Sequence, residues 1–212
     1  AVGALVIVDH EFATPVFSRA VELGADVVVY STSKHIDGQG RALGGVICGT
    51  EEFIRKTVET YMQHTGGSMS PFTAWMHLNG MATLDLRCRA MADTALKVAT
   101  ALQSDPRLAR VIYPGLASHP QHALAMEQMG SGGTLLTFEV KGGKDSAMAL
   151  AAHVEIFTRA TSLGGVESLI EHRASIEGPE SKTPQGLLRV SVGLEHADDL
   201  IDDLSSALTH CS

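Results

Sequence analysis

Apolar residues run without interruption from Ala4 to Val8 and stop at Asp9, the pattern of a short strand buried on both faces. Thr14-Pro15 then opens a predicted helix with Phe17, Ala20 and Val21 on one face, and Gly24 is placed to close it in a left-handed cap. Residues 25–31 are again Val-rich and read as the next strand. A strand, a helix and a strand within about thirty residues form a right-handed βαβ unit, whose strands run parallel with their carboxyl ends on one edge. Asp9 and residues 31–34 are therefore expected to converge.

A glycine-rich loop (Gly38, Gly40, Gly44, Gly45) leads to a third short strand over 46–48, expected to run parallel to the others. Thr50 can cap a helix over 51–64, which Gly66-Gly67 ends. Ser70-Pro71 opens an Ala-, Leu- and Met-rich helical stretch reaching to about residue 103, read as a bridge between domains. Beyond Asp105-Pro106 strands alternate with helices: strand 110–113, helix 121–129, strand 134–140, helix 144–153. Over 187–192, Leu188, Val190 and Val192 share one face and Arg189 and Ser191 the other, and a helix over 197–208 follows. The pattern is α/β and divides into 1–69, a bridging helix over 70–104, and a second α/β unit over 105–212.

Composition narrows the function classes. With 44% hydrophobic and 19% charged residues the 212-residue chain suits a globular protein, and no apolar run is long enough to span a bilayer. A net charge of −8 without a Lys/Arg cluster argues against nucleic acid as a partner. Three widely spaced cysteines suggest neither a disulfide framework nor a zinc ribbon, and a cytoplasmic setting fits them. His119 and His122 lie in a turn without an accompanying acid or Cys cluster, so no metal site is expected. The opening at Ala1, without a leader or an initiator Met, suggests a truncated start.

Chemistry concentrates at Ser31-Thr32-Ser33-Lys34, which leaves a predicted parallel strand at the edge where open α/β sheets bind ligands. The hydroxyls of Ser31 and Ser33 can bond a phosphate, and a partly shielded lysine beside them can lose its proton and form an imine. Asp9, at the neighbouring strand end, could face a pyridinium nitrogen. A short S-x-S-K string also arises by chance, and an Asp at a strand end often only caps the next loop, so spacing alone leaves both readings open.

The blocks VDHEFATP, LGADVVVYSTSKHIDGQGRALGGVICG, MSPFTAWMHLNGMATLDLR, YPGLASHPQH, SLGGVESLIEH and LLRVSVGLE span nearly all of the chain. In order and spacing they resemble the Cys/Met-metabolism (trans-sulfuration) family of fold-type I pyridoxal-phosphate enzymes. That family includes cystathionine γ-synthase and γ-lyase, methionine γ-lyase and O-succinylhomoserine sulfhydrylase. The resemblance implies that Lys34 is the catalytic lysine carrying pyridoxal 5'-phosphate as a Schiff base, that Asp9 is the pyridinium partner, and that Ser31 and Ser33 bind the phosphate. It implies further that Arg189 binds the substrate α-carboxylate with Ser162 beside it, a role for which a planar guanidinium is suited. Without the resemblance, Arg189 reads as a solvated charge on an exposed strand face.

Residues 1–69 are then expected to be the carboxyl-terminal part of the cofactor domain and 105–212 the small carboxyl-terminal domain, with the family's amino-terminal half absent. The implied activity is γ-elimination or γ-replacement on homoserine esters or sulfur amino acids, in a homodimer or homotetramer with shared active sites. The sulfhydrylase and synthase are the leading expectation; the γ-lyases and a non-catalytic fragment are the alternatives. The chain departs from the family wording at His10-Glu11, where Asn-Thr is usual after the Asp, and at Arg173 and residues 174–184.

Overall fold

The computed structural model describes residues 2–211, and the chain divides into two compact units, 1–85 and 86–212. In the first unit, β1 (Ile7–Asp9), β2 (Val27–Ser31) and β3 (Gly45–Gly49) form one sheet in that order. β1 and β2 pair in parallel, Asp9 opposite Val29. The third strand departs from expectation: β3 runs antiparallel to β2, with Gly45 opposite Ser31. A parallel neighbour would need a crossover along the sheet face, whereas residues 32–44 turn back at the end where β2 finishes.

The helix expected from Thr14 to Gly24 is confined to α1 (Thr14–Phe17), and Ser18 is already extended at φ −144°, ψ 131°. The His10 imidazole donates from Nε2 to the Ser18 carbonyl at 2.9 Å. That tertiary bond takes an oxygen the helix would have used, and it outweighs the local helical pattern.

Residues 51–65 are helical as expected, comprising α2 (Glu51–Phe53), a π-helical segment (Ile54–Glu59) and α3 (Thr60–Thr65). The Thr50 hydroxyl caps the start by accepting the Phe53 N–H, and Gly66 at φ 73° closes the end. The stretch 70–104, expected as one helix, is two: α4 (Pro71–Met81) and α5 (Leu84–Gln103). Thr83 turns back there, donating its N–H and its hydroxyl to the Gly80 carbonyl.

In the second unit β4 (Leu108–Ile112), β5 (Leu135–Val140), β6 (Thr158–Arg159), β7 (Leu169–His172) and β8 (Leu187–Ser191) form a five-stranded sheet in the order β4-β5-β8-β7-β6. Only β6 and β7 pair in parallel. The helices are α6 (His122–Met129), α7 (Gly143–His153), α8 (Arg173–Glu177) and α9 (Ala197–Ala207). The sequence pattern did not reveal β6, β7 or α8: the first is two residues long, and β7 is buried at every position and so lacks alternation.

The alternate residues Leu136, Phe138 and Val140 of β5 and Leu188 and Val190 of β8 point into one core, with Ala95, Val98 and Leu102 of α5, Leu150 of α7, and Leu200 and Leu204 of α9. The helices thus fill one face of the sheet. Thr137, Arg189 and Glu171 lie in cross-strand register on the other.

Candidate active site

The parallel register of β1 and β2 shapes the candidate site of the first unit. Pairing continues past Asp9, where the His10 N–H donates to the Val29 carbonyl at 2.9 Å, so Glu11 comes level with the end of β2. The Glu11 carboxylate accepts the Ser31 N–H through Oε1, and its Oε2 lies 3.5 Å from Lys34 Nζ. Its side chain is 10% exposed and that of Lys34 29%. His10 turns the other way, buried edge-on against the Tyr30 ring.

Beyond Ser31 the chain winds into a π-helical turn (Thr32–Ile36) in which Lys34 breaks from helical geometry at φ −99°, ψ −123°. The Ser33 hydroxyl accepts the Gly44 N–H at 2.9 Å, tying this turn to the loop that precedes β3. Asp37 holds the same loop, accepting from the Arg41 guanidinium at 2.7 and 2.9 Å and from its N–H at 2.8 Å. Burial works against the charged form of Asp37, but the bonds from Arg41 prevail and keep its carboxyl below the ordinary value. α4 closes against the turn at Gly80, where a Cβ would fall on the backbone oxygens of Ile36 and Asp37. Asp9, Ser31, Ser33 and Lys34 are thereby gathered at one sheet edge.

A separate cluster of charged side chains lies in the other unit. Arg189 is not a solvated charge: its side chain is 16% exposed, Nε sits 3.1 Å from Glu171 Oε1, and one terminal nitrogen donates to the Ser162 carbonyl at 2.7 Å. Ser162 has φ 98°, a left-handed conformation uncommon outside glycine, so Arg189 grips a strained turn. Arg173 reaches the same Glu171 oxygen at 2.9 Å. Burial, the largest influence, lowers the Arg189 value; Glu171 opposes this and Arg173 adds to it. The Arg173 guanidinium also holds Glu177, which accepts from the Ser181 and Thr183 hydroxyls at 2.6 Å each.

With this geometry in view, comparison with known proteins is decisive. A family description, Cys/Met metabolism PLP-dependent enzyme, matches residues 1–209. The chain belongs to that family. It is similar to a canavanine gamma-lyase of Pseudomonas canavaninivorans (46% identity, covering 97% of this chain and 54% of the relative). It is also similar to an O-succinylhomoserine sulfhydrylase of Mycobacterium tuberculosis (43% identity, 99% and 54%). Among solved structures, cystathionine gamma synthase from Xanthomonas oryzae pv. oryzae in complex with cystathionine superposes with a TM-score of 0.94 at 37% identity, covering 99% of this chain and 56% of that one. The chain spans about half the length of the curated relatives it matches.

As a member of a PLP-dependent family, the chain can be tested for residues that suit pyridoxal phosphate. The donor set suits it: Ser31 Oγ has no protein partner among the described residues, Ser33 Oγ keeps only a long 3.4 Å contact for its proton, Lys34 carries the amine, and Asp9 stands exposed at the neighbouring strand end. The sequence did not single out two acids, Glu11 beside Ser31 and Lys34 and Glu171 beside Arg189. Glu11 was visible only as a departure from the family wording, and Glu171 lay unremarked inside a matched block. His119 and His122 serve their turn, His119 accepting the Gln121 N–H and His122 donating to the Pro114 carbonyl. Among the described residues no group of three or more His, Cys, Asp or Glu is placed to hold a metal, and no helix is long and apolar enough to cross a membrane.

Proposed function

We propose that this chain carries the lysine-bearing part of an enzyme that eliminates or replaces the γ-substituent of a homoserine ester or sulfur amino acid. The sulfhydrylase and γ-synthase activities lead. The observation that carries the reading is Lys34 in a non-helical turn at the end of β2, with Asp9, Ser31 and Ser33 on the same edge, in a member of a PLP-dependent family.

In this reading Lys34 Nζ would hold the cofactor, the Ser31 and Ser33 hydroxyls would donate to its phosphate, and Asp9 would favour a protonated ring nitrogen. When bound, pyridoxal phosphate supplies an electron sink for the charge left when a substrate Cα–H bond breaks. Lys34 Nζ then moves protons to and from the substrate carbons. Arg189 would take the substrate α-carboxylate with Ser162 beside it, a two-point grip that fixes the orientation of the substrate. The domain roles follow: 1–69 belongs to the cofactor domain, 70–104 bridges, and 105–212 is the small domain. We place the enzyme in the cytoplasm, as a homodimer or homotetramer; exposed Phe72, Trp75, Leu78 and Met81 on α4 are surface for such contacts.

One other reading has specific support: the likeness to a canavanine gamma-lyase favours elimination over replacement. Adding pyridoxal phosphate to purified protein should give visible absorbance, and borohydride should then fix the cofactor on the Lys34 peptide. A protein that stays colourless would overturn the assignment of Lys34 as the cofactor lysine. Supplying O-succinylhomoserine, cystathionine or methionine with and without a thiol separates replacement from elimination.

A further inference from the structure

The groups around Lys34 contain one acid for which the reading above has no use. Glu11 is nearly buried, and its oxygens divide their work: Oε1 accepts the Ser31 N–H, while Oε2 faces the Lys34 ammonium at 3.5 Å. No other carboxylate among the described residues pairs with Lys34 Nζ. An ammonium has no lone pair, so Lys34 can attack an aldehyde only after losing a proton to a base. Glu11 is the acceptor within reach.

We propose that Glu11 is a catalytic acid–base partner of Lys34 in forming and exchanging the carbon–nitrogen bond to an aldehyde cofactor, an inference that rests on the assignment of Lys34 as the cofactor lysine. Glu11 Oε2 takes one proton from the Lys34 ammonium, freeing the nitrogen lone pair. The nitrogen bonds to the aldehyde carbon, and a second proton passes from nitrogen to the former carbonyl oxygen. Glu11 then returns its proton to that hydroxyl, which leaves as water as the C=N bond forms. Both hydrogens of the water come from the ammonium, the positive charge remains on nitrogen, and Glu11 is again a carboxylate beside it. The reverse sequence releases the lysine.

A purely structural Glu11 would only satisfy the Ser31 N–H, and a glutamine does that equally well. Pyridoxal phosphate is therefore added to cofactor-free parent, Glu11→Gln and Glu11→Asp proteins, and attachment is timed by visible absorbance and by borohydride trapping on the Lys34 peptide. Glu11→Gln is expected to attach roughly 100-fold more slowly, the lower end of what a positioned acid–base group contributes. Glu11→Asp, a carboxylate set back by one methylene, should fall between. A Glu11→Gln protein that attaches as fast as the parent, or faster, overturns the proposal. Should that variant not fold, Glu11→Asp decides: slower attachment supports the role and an unchanged rate overturns it. A parent that never yields the Lys34 adduct refutes the cofactor-lysine assignment itself, and this inference with it.

Discussion

Glu171 and Arg189 show how one buried charge depends on another. Glu171 is 3% exposed and bridges two guanidiniums through a single oxygen, and its Oε2 is buried without a partner. Removing the acid leaves Arg189 uncompensated beside Arg173, and breaking such a pair costs about 3–5 kcal/mol. Glu171→Leu should lower the unfolding free energy by that order in urea titrations. Arg189→Lys keeps the charge but loses the planar fork. In an active enzyme it should raise KM for every amino-acid substrate about tenfold or more while changing kcat less; a parent-like KM would remove Arg189 from the carboxylate role. Sequence periodicity had assigned Arg189 to the correct strand face and still misjudged its environment, because alternation reports which face a residue occupies and not what covers that face.

At the scale of elements, two local arrangements make separate claims. α4 approaches the Lys34 turn only because Gly80 lacks a side chain; the Cβ of Gly80→Ala would stand 2.7 Å from the Asp37 oxygen and closer still to that of Ile36. Since both obstacles are backbone, the helix must shift, and overpacking of this kind costs about 1–3 kcal/mol. A lower thermal midpoint together with weaker borohydride trapping at Lys34 would show that α4 positions the turn. The second arrangement follows α8, where hydrogen bonds from Ser181, Thr183 and Arg173 hold the Glu177 carboxyl down to about 2 from an ordinary 4.5. A depressed carboxyl value means that the stabilisation is complete above about pH 4.5 and is lost as pH falls toward about 2. The stability difference between parent and Glu177→Gln should therefore be constant at neutral pH and shrink across that acid window. The existence of most elements was legible in the sequence, as was the start of α1 at Thr14, but the early end of α1 and the break between α4 and α5 were not. The first follows from a tertiary bond, His10 to the Ser18 carbonyl, and the second from a tight turn in which Thr83 donates to the Gly80 carbonyl.

For the whole molecule, the two units differ in the core each owns. The first has a small cluster of Ala20, Ala25 and Val28, with Val8 and Tyr30 partly buried against it. The second draws on α5, α7, α9 and four strands, and Phe138, Leu188 and Leu200 are fully buried there. Amide exchange should accordingly be faster in β2 than in β5 and β8, since local opening is easiest where least apolar surface is buried. Equal protection would mean that the units unfold together. The sequence by itself determined the class of fold, the parallel pairing that brings Asp9 toward Ser31, and the S-x-S-K turn that bears Lys34. These rest on periodicity and on residues close together along the chain. Tertiary structure alone decided that β3 turns back, that Glu11 meets Lys34, and that Glu171 joins Arg189 to Arg173. The energy of these contacts comes from burial and charge compensation that exist only once the sheets have formed.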